Sequence, residues 1–168
     1  MKDSFKFFLD VKILVRGSEM DIRREYKYIV KPGWPGETPI YHVPELNELV
    51  RVLFDQDIGG TKNFAVWLTG FEPGQALPLH KHSSEELLFI LSGKGVETVG
   101  EETREVDPYT AIYIPPGVEH RFINTGDEYV MMLVVAAPPG DIEKGLYKDP
   151  GKAKRVRKVT PRMEIEYE

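Results

Sequence analysis

Short apolar runs separated by turn sequences fill the middle of the chain. Each run is four to eight residues long and rich in β-branched or aromatic side chains, whereas Gly, Pro, Asp or Ser residues lie between the runs. This spacing predicts about eight short strands that form a closed or sandwiched antiparallel barrel. The 13 prolines and 15 glycines are too many for a helical bundle. The predicted strands are residues 64–71, 76–82, 86–91, 95–99, 103–106, 111–114, 120–124 and 130–136.

The best helix candidate is the segment 44–54, which precedes the predicted barrel. Pro44 can open a helix because its missing N–H would be unpaired there in any case. Four aliphatic residues then recur at helical spacing and would share one face. They are Leu46, Leu49, Val50 and Leu53.

The chain is expected to have three parts. Residues 1–62 should supply N-terminal strands, a loop and the short helix, all packed on the barrel and contributing to a dimer interface. The barrel itself should span 63–137, and residues 138–168 should form a C-terminal extension. The further strands predicted in the flanking parts are 5–15, 24–30 and 156–167.

Composition indicates one folded globular domain. The chain has 168 residues, 41% of them hydrophobic, and a net charge of -5. An acidic surface argues against nucleic acid or an anionic membrane as the partner. Without a signal-peptide core or a long apolar span, the expected location is the cytoplasm. A basic cluster in the C-terminal part is expected to lie on a solvated strand, with an anionic ligand or a partner as the alternative. It comprises Lys152, Lys154, Arg155, Arg157, Lys158 and Arg162.

Three of the four histidines fall in two spaced patterns. The patterns are Gly74-x5-His80-x-His82-x3-Glu86-x6-Gly93 and Pro115-x-Gly117-x2-His120-x3-Asn124. Three neutral imidazoles and one carboxylate make a nitrogen and oxygen ligand set that suits a divalent transition metal. A lone buried histidine is more often a hydrogen-bonded core residue, but the combined pattern favours a metal site. The candidate metal ligands are therefore His80, His82, Glu86 and His120, whereas Asn124 is expected to be a turn or bulge residue.

Strand geometry allows these ligands to converge. Side chains two residues apart on a strand share a face, so His80 and His82 point the same way. Glu86 keeps their parity or enters from the next strand, and His120 reaches the interior from a different strand. By the same parity the pocket wall is expected to include three apolar residues, with plain barrel packing as the alternative for each. They are Leu88, Ile90 and Phe122.

The two patterns resemble the signature motifs of the cupin superfamily. The first motif matches at every fixed position. The second departs at its leading glycine, replaced by Tyr109, and at the acid that often follows, replaced by Thr110. The resemblance covers roughly residues 64–137 and implies an all-β fold, a double-stranded β-helix or jelly-roll barrel. It implies a metal held by the four candidate ligands, and a homodimer to which residues 5–30 would contribute.

An open coordination position predicts catalysis rather than a structural metal. The leading hypothesis is a metalloenzyme of the dioxygenase, decarboxylase or isomerase type acting on a small polar or anionic substrate. Iron or manganese is the expected metal, with nickel or zinc as alternatives. The second hypothesis is a cupin that binds or senses a small molecule without turnover. Tyr109, Tyr113 and Arg121 are weaker candidates for the site, and His42 is expected to be a surface or packing residue rather than a proton shuttle.

Overall fold

The described part of the chain folds into two antiparallel β-sheets and one short helix. The structure, a computed structural model, describes residues 28–31, 38–159 and 165–168. The larger sheet has eight strands in the order β11-β10-β1-β2-β3-β9-β4-β7, and the smaller has three in the order β6-β5-β8. The described strands are β1 Ile40–Val43, β2 Glu48–Phe54, β3 Ala65–Phe71, β4 Glu85–Ser92, β5 Gly95–Val99, β6 Glu102–Val106, β7 Ala111–Ile114, β8 His120–Ile123, β9 Val130–Ala137, β10 Lys154–Val159 and β11 Ile165–Tyr167, and helix α1 is Asp141–Gly145.

The predicted all-β architecture is confirmed. Seven of the eight strands predicted in the middle of the chain are present with boundaries shifted by at most one residue. The eighth, predicted at 76–82, is an irregular segment that pairs with β8 through isolated bridges at Ala76 and His80. The strand predicted at 5–15 lies outside the described residues, as does most of the one predicted at 24–30, whose residues 28–30 belong to no strand.

The helix predicted at 44–54 is wrong. Residues 44–47 form a turn in which Asn47 has a φ of 50°, and β2 follows it, paired with β1 and β3. Of the aliphatic residues that suggested a helix, Leu49 and Leu53 are half-buried in β2, whereas Glu48, Val50 and Val52 on the opposite parity of the strand are buried. Strand pairing on both sides satisfies the backbone N–H and C=O groups of β2, so tertiary context decides in favour of the strand.

The core lies between the two sheets. Inward residues of β3, β4 and β9 meet those of the smaller sheet, as in the contact of Phe71 with Phe122 at a ring-centroid distance of 5.2 Å. Alternation is clear in β4, where Glu86, Leu88 and Ile90 are buried while Glu85 and Leu87 are exposed. Even-numbered residues of β4 and β8 therefore face the interior, as strand parity predicted.

The C-terminal part extends the larger sheet. The single strand predicted at 156–167 is two strands, since β10 and β11 form an antiparallel pair and β10 also pairs with β1. Within the basic cluster, Lys154 and Arg157 are exposed and Arg155 is half-buried, whereas Arg162 lies outside the described residues. None of the helices within these described segments has the length and apolar character needed to cross a membrane.

Candidate metal site and its cavity

Three histidines converge at one end of the interior. His80, His82 and His120 each place a ring nitrogen within 4.8 Å of the others. The ring centroids of His80 and His120 are 4.2 Å apart, and those of His82 and His120 are 4.8 Å apart. His120 is buried, His82 is half-buried and His80 is exposed, so the cluster lies at the mouth of the interior and reaches solvent on the His80 side.

Backbone pairing between the two sequence patterns holds this cluster together. The N–H of His80 donates to the carbonyl of His120 at 3.1 Å, and the N–H of His120 donates back at 2.9 Å. The N–H of Gly117 donates to the carbonyl of His82 at 2.7 Å, and the N–H of Gly74 donates to the carbonyl of Asn124 at 3.0 Å. The two patterns are thus the two sides of one antiparallel pairing, although about thirty residues separate them in sequence.

The Nδ1 atom of each histidine is engaged by a backbone carbonyl two residues away. His80 bonds to the carbonyl of Pro78 at 2.8 Å, His82 to that of Ser84 at 2.9 Å and His120 to that of Val118 at 3.0 Å. A carbonyl only accepts, so each Nδ1 carries a proton, which leaves Nε2 as the ring nitrogen available to the cluster. This is the arrangement that fixes the tautomer and orientation of metal-binding imidazoles.

Glu86 completes the cluster. Its Oε2 lies 3.1 Å from Nε2 of His82 and 3.4 Å from Nε2 of His120. Burial alone would raise the pKa of Glu86, but the neighbouring imidazoles of His120 and His82 outweigh it, so the pKa is below its usual range. Burial lowers the pKa of His80, which favours the neutral ring. Metal binding requires the ionised carboxylate and the neutral form of each ligating imidazole, and these shifts favour those forms at Glu86 and His80.

The donor set fits a metal ion. Among the described residues, the buried Nε2 of His120 has no hydrogen-bond partner. A buried nitrogen lone pair without a donor is costly unless something else binds it. The histidine nitrogens and the Glu86 oxygen therefore form a group that could hold a divalent ion.

Asn124 has a structural role, as expected. Its side chain is fully buried, and Nδ2 donates to the carbonyls of Phe71 at 2.9 Å and Glu128 at 2.8 Å. Its Oδ1 accepts from the N–H of Gly126 at 3.0 Å. The bonds with Glu128 and Gly126 close the turn that follows β8, and the bond to Phe71 ties this turn to the end of β3.

A cavity of about 270 Å³ opens beside the histidines. This volume is just below the ~300–1,000 Å³ of sites that hold drug-sized ligands, so it suits a small molecule. Leu88 and Phe122 lie in its wall, whereas Ile90 does not. Ile90 is fully buried in the core, so plain packing applies to it. The lining residues are Leu46, Glu48, Trp67, Thr69, Leu77, Pro78, His80, Lys81, His82, Glu86, Leu88, Glu97, His120, Phe122, Met132, Val134, Ile142, Gly145 and Leu146.

Two further carboxyl groups line this mostly apolar cavity. Burial raises the pKa of Glu48 to about 7, although the hydroxyl of Thr69 donates to Oε1 of Glu48 at 2.5 Å. Burial and the charge of Glu86 raise the pKa of Glu97 to about 8. Sequence reasoning missed both groups. Their inward direction follows from strand register, which single-strand patterns do not reveal.

The C-terminal helix closes one side of the cavity. Ile142 and Leu146, in and just after α1, contribute to the lining. Nζ of Lys148 lies 3.2 Å from both Asp55 and Glu143, and the hydroxyl of Tyr147 donates to Glu143 at 2.8 Å. This polar cluster fastens the C-terminal extension to the end of β2.

The weaker candidates from the sequence lie away from the cavity. Arg121 is exposed, and Tyr113 is exposed with its hydroxyl donating to Glu85 at 3.2 Å. Tyr109 is 82% exposed. His42 is buried in β1, between β2 and β10, where its Nδ1 lies 2.7 Å from the hydroxyl of Tyr167. The expectation that His42 is a packing residue agrees with this position.

Comparison with known proteins relates this geometry to a family. Residues 67–136 match the family described as Cupin domain, and this region contains all four clustered side chains. A solved structure from Thermus thermophilus, that of TT1209, is 30% identical, covers 58% of this chain and 88% of its own, and superposes with a TM-score of 0.50. The chain belongs to the cupin superfamily. The two facing sheets are accordingly the double-stranded β-helix that the motifs implied.

Other cupin relatives differ in what their names say they do. Auxin-binding protein 4 of Zea mays is 33% identical over 91 residues, which are 48% of this chain and 45% of that protein. The polyketide cyclase RemF of Streptomyces resistomycificus is 29% identical, with a TM-score of 0.50, over 55% of this chain and 66% of that one. The matched region spans about half the length of the auxin-binding protein.

Proposed function

We propose that this cupin binds one divalent transition metal through His80, His82, Glu86 and His120. The observation that carries the proposal is the convergence of three imidazole rings and one carboxylate, with every Nδ1 already bonded to a backbone carbonyl. Iron or manganese suits this ligand set best, with nickel and zinc as alternatives.

The proposed activity is that of a metalloenzyme acting on a small polar or anionic molecule. Four protein ligands leave one or two coordination positions, and the cavity of about 270 Å³ adjoins them. A metal held there would polarise a bound oxygen as a Lewis acid. The apolar wall, including Phe122 and Leu88, excludes water and lowers the local dielectric, which strengthens that polarisation. Dioxygenation, decarboxylation and isomerisation are the reaction types proposed.

A non-catalytic binding or sensing role is the second candidate. The similarity to an auxin-binding protein favours it, because that name describes binding rather than turnover. The same cavity and metal would serve both functions. A homodimer in the cytoplasm is proposed for either, with residues 5–30 as the contributing segment, of which residues 5–27 lie outside the described part of the chain.

Metal content of purified protein tests the metal proposal. We expect wild type prepared without chelators to hold close to one equivalent of a transition metal by elemental analysis. His82→Ala should lose that metal, because its imidazole contacts Glu86 at the centre of the cluster. His42→Ala is the matched control: it also removes a buried imidazole, but one bonded to Tyr167 and outside the cavity lining.

Two results contradict the proposal. One is wild-type protein without stoichiometric metal after reconstitution with iron, manganese, nickel and zinc in turn. The other is loss of metal in His42→Ala with an unchanged circular dichroism spectrum. Turnover then separates the two functions. Oxygen uptake, carbon dioxide release or isomer formation with small hydroxy acids supports the enzyme, whereas tight binding without product supports the sensor.

A further inference from the structure

Glu97 is a buried acid that the metal site does not use. It lies at the centre of β5, is 4% exposed, and belongs to the cavity lining. Within the described part of the chain, neither of its carboxyl oxygens has a hydrogen-bond partner. Native proteins rarely leave a buried polar group in this state, since its desolvation costs free energy whether or not it is charged.

The other carboxyl groups in the cavity are accounted for. Glu48 accepts a hydrogen bond from Thr69 at 2.5 Å, and Glu86 lies against His82 and His120. Glu97 is therefore the only one of the three lining acids, among the residues described, whose two oxygens are both available to a molecule in the cavity.

Strand register places Glu97 at a defined distance from the histidines. In the pairing of β5 with β8, Val99 is opposite His120 and Glu97 is opposite Phe122. Opposite residues share a face, so Glu97 and His120 both face the cavity as diagonal neighbours, roughly 7–8 Å apart. Phe122, which is opposite Glu97 and two residues from His120 on β8, forms an apolar floor beside both. One small molecule can therefore touch the histidine cluster and Glu97 together.

We propose that Glu97 is the recognition residue of the cavity and that it accepts a hydrogen bond from a hydroxyl group of the ligand. The ligand class is a small hydroxylated organic acid with an apolar middle. Its carboxylate binds at the metal, its body lies on Phe122, and its hydroxyl reaches Glu97. The assignment rests on the proposed metal site. It adds that the Glu97 carboxyl group selects among the small acids that can bind the metal.

Hydroxyl recognition by a buried acceptor discriminates strongly. A ligand that lacks the hydroxyl leaves the carboxyl group unpaired in an apolar wall, which costs affinity beyond the loss of one bond. A carboxyl group accepts such a bond whether it is neutral or charged. The preference for hydroxylated ligands is therefore expected at every pH at which the metal stays bound.

Titration calorimetry with a matched pair of acids tests the proposal. The probes are 4-hydroxybenzoate and benzoate, added to metal-loaded protein of known metal content. Wild type should prefer the hydroxylated acid by at least about tenfold, because one hydrogen bond accounts for about tenfold and the unpaired carboxyl group adds to it. Glu97→Leu should lose the preference, whereas Glu97→Gln, whose amide still accepts a hydrogen bond, should retain most of it.

A stability measurement accompanies the binding experiment. If Glu97 serves the ligand rather than the fold, Glu97→Leu should raise the denaturant midpoint, since it removes an unpaired polar group from an apolar wall. A lowered midpoint would overturn the assignment, as would metal-loaded wild type that binds the two acids equally or binds neither. Metal content separates failure of this assignment from failure of the metal proposal. If the metal proposal is wrong, wild type holds no stoichiometric metal. If only the Glu97 assignment is wrong, wild type and Glu97→Leu hold the same amount of metal.

Discussion

Tyr109 adopts a backbone conformation that suits glycine. It lies in the turn between β6 and β7 with a φ of 73°, at the position where the second cupin motif usually has glycine. The N–H of Thr110 donates to the carbonyl of Asp107 at 3.1 Å across this turn. A left-handed residue with a Cβ atom costs about 1–2 kcal/mol. The turn therefore forms despite the substitution, and Tyr109 is a removable source of strain.

The size of the effect follows from what Tyr109 touches. The ring is 82% exposed, and it packs edge-on against Phe89 at a centroid distance of 6.5 Å. Loss of that contact costs about 0.5 kcal/mol. Glycine removes the strain but loses about 0.5–1 kcal/mol more chain entropy than alanine. We expect Tyr109→Gly to be about 1 kcal/mol more stable than Tyr109→Ala and slightly more stable than wild type.

Urea denaturation of the three proteins measures this difference. Alanine and glycine both remove the ring, so their comparison isolates the backbone conformation at Tyr109. The midpoint should increase in the order alanine, wild type, glycine, with unchanged slopes. If Tyr109→Ala proves as stable as Tyr109→Gly, the left-handed conformation at this turn is refuted.

Three further predictions concern the turns and the buried acids. Gly93→Ala should destabilise the protein by more than Gly74→Ala, as measured by denaturant midpoints. Both glycines have a positive φ, but only at Gly93 would the added Cβ atom lie 2.8 Å from backbone atoms, those of Tyr129 and Val130. Asn124→Ala should cost about 3 kcal/mol of unfolding free energy, since it deletes three buried hydrogen bonds; urea denaturation measures the loss. The pKa of Glu48 is raised to about 7, so the folded state holds its proton above the unfolded pKa of 4.5. The protonated Glu48 therefore contributes most to the free energy of unfolding below pH 4.5, and this contribution falls by about 3 kcal/mol as the pH rises to 7. In Glu48→Gln the free energy of unfolding should lack this fall with pH. Denaturation of both proteins in chelating buffer at several pH values measures the difference.

The histidine cluster was the part of the molecule most accessible from sequence. His80, His82 and Glu86 are close in the chain, so their spacing carries most of the geometry, and Pro115 with Gly117 marks the turn before His120. The two glycines of the first pattern, Gly74 and Gly93, both have a positive φ, which glycine adopts without strain. Local spacing and turn chemistry determine these features, and both are properties of the sequence alone.

The rest depends on pairing between distant strands. The segment 44–54 has helical spacing, yet β1 and β3 flank its strand β2 and hold it in place. The Pro44 to Asn47 turn was the available signal, because asparagine tolerates the left-handed conformation. Glu97 faces the cavity only because of its register with β8, and Ile90 shares the parity of Leu88 yet lies in the packed core outside the cavity lining.

Anomalous X-ray scattering from crystals of metal-loaded protein tests the central claim most directly. The four-ligand account predicts a single strong peak about 2.0–2.2 Å from Nε2 of His80, His82 and His120 and from a carboxylate oxygen of Glu86. An anomalous peak elsewhere, or these four side chains turned away from one another around no ion, would contradict it.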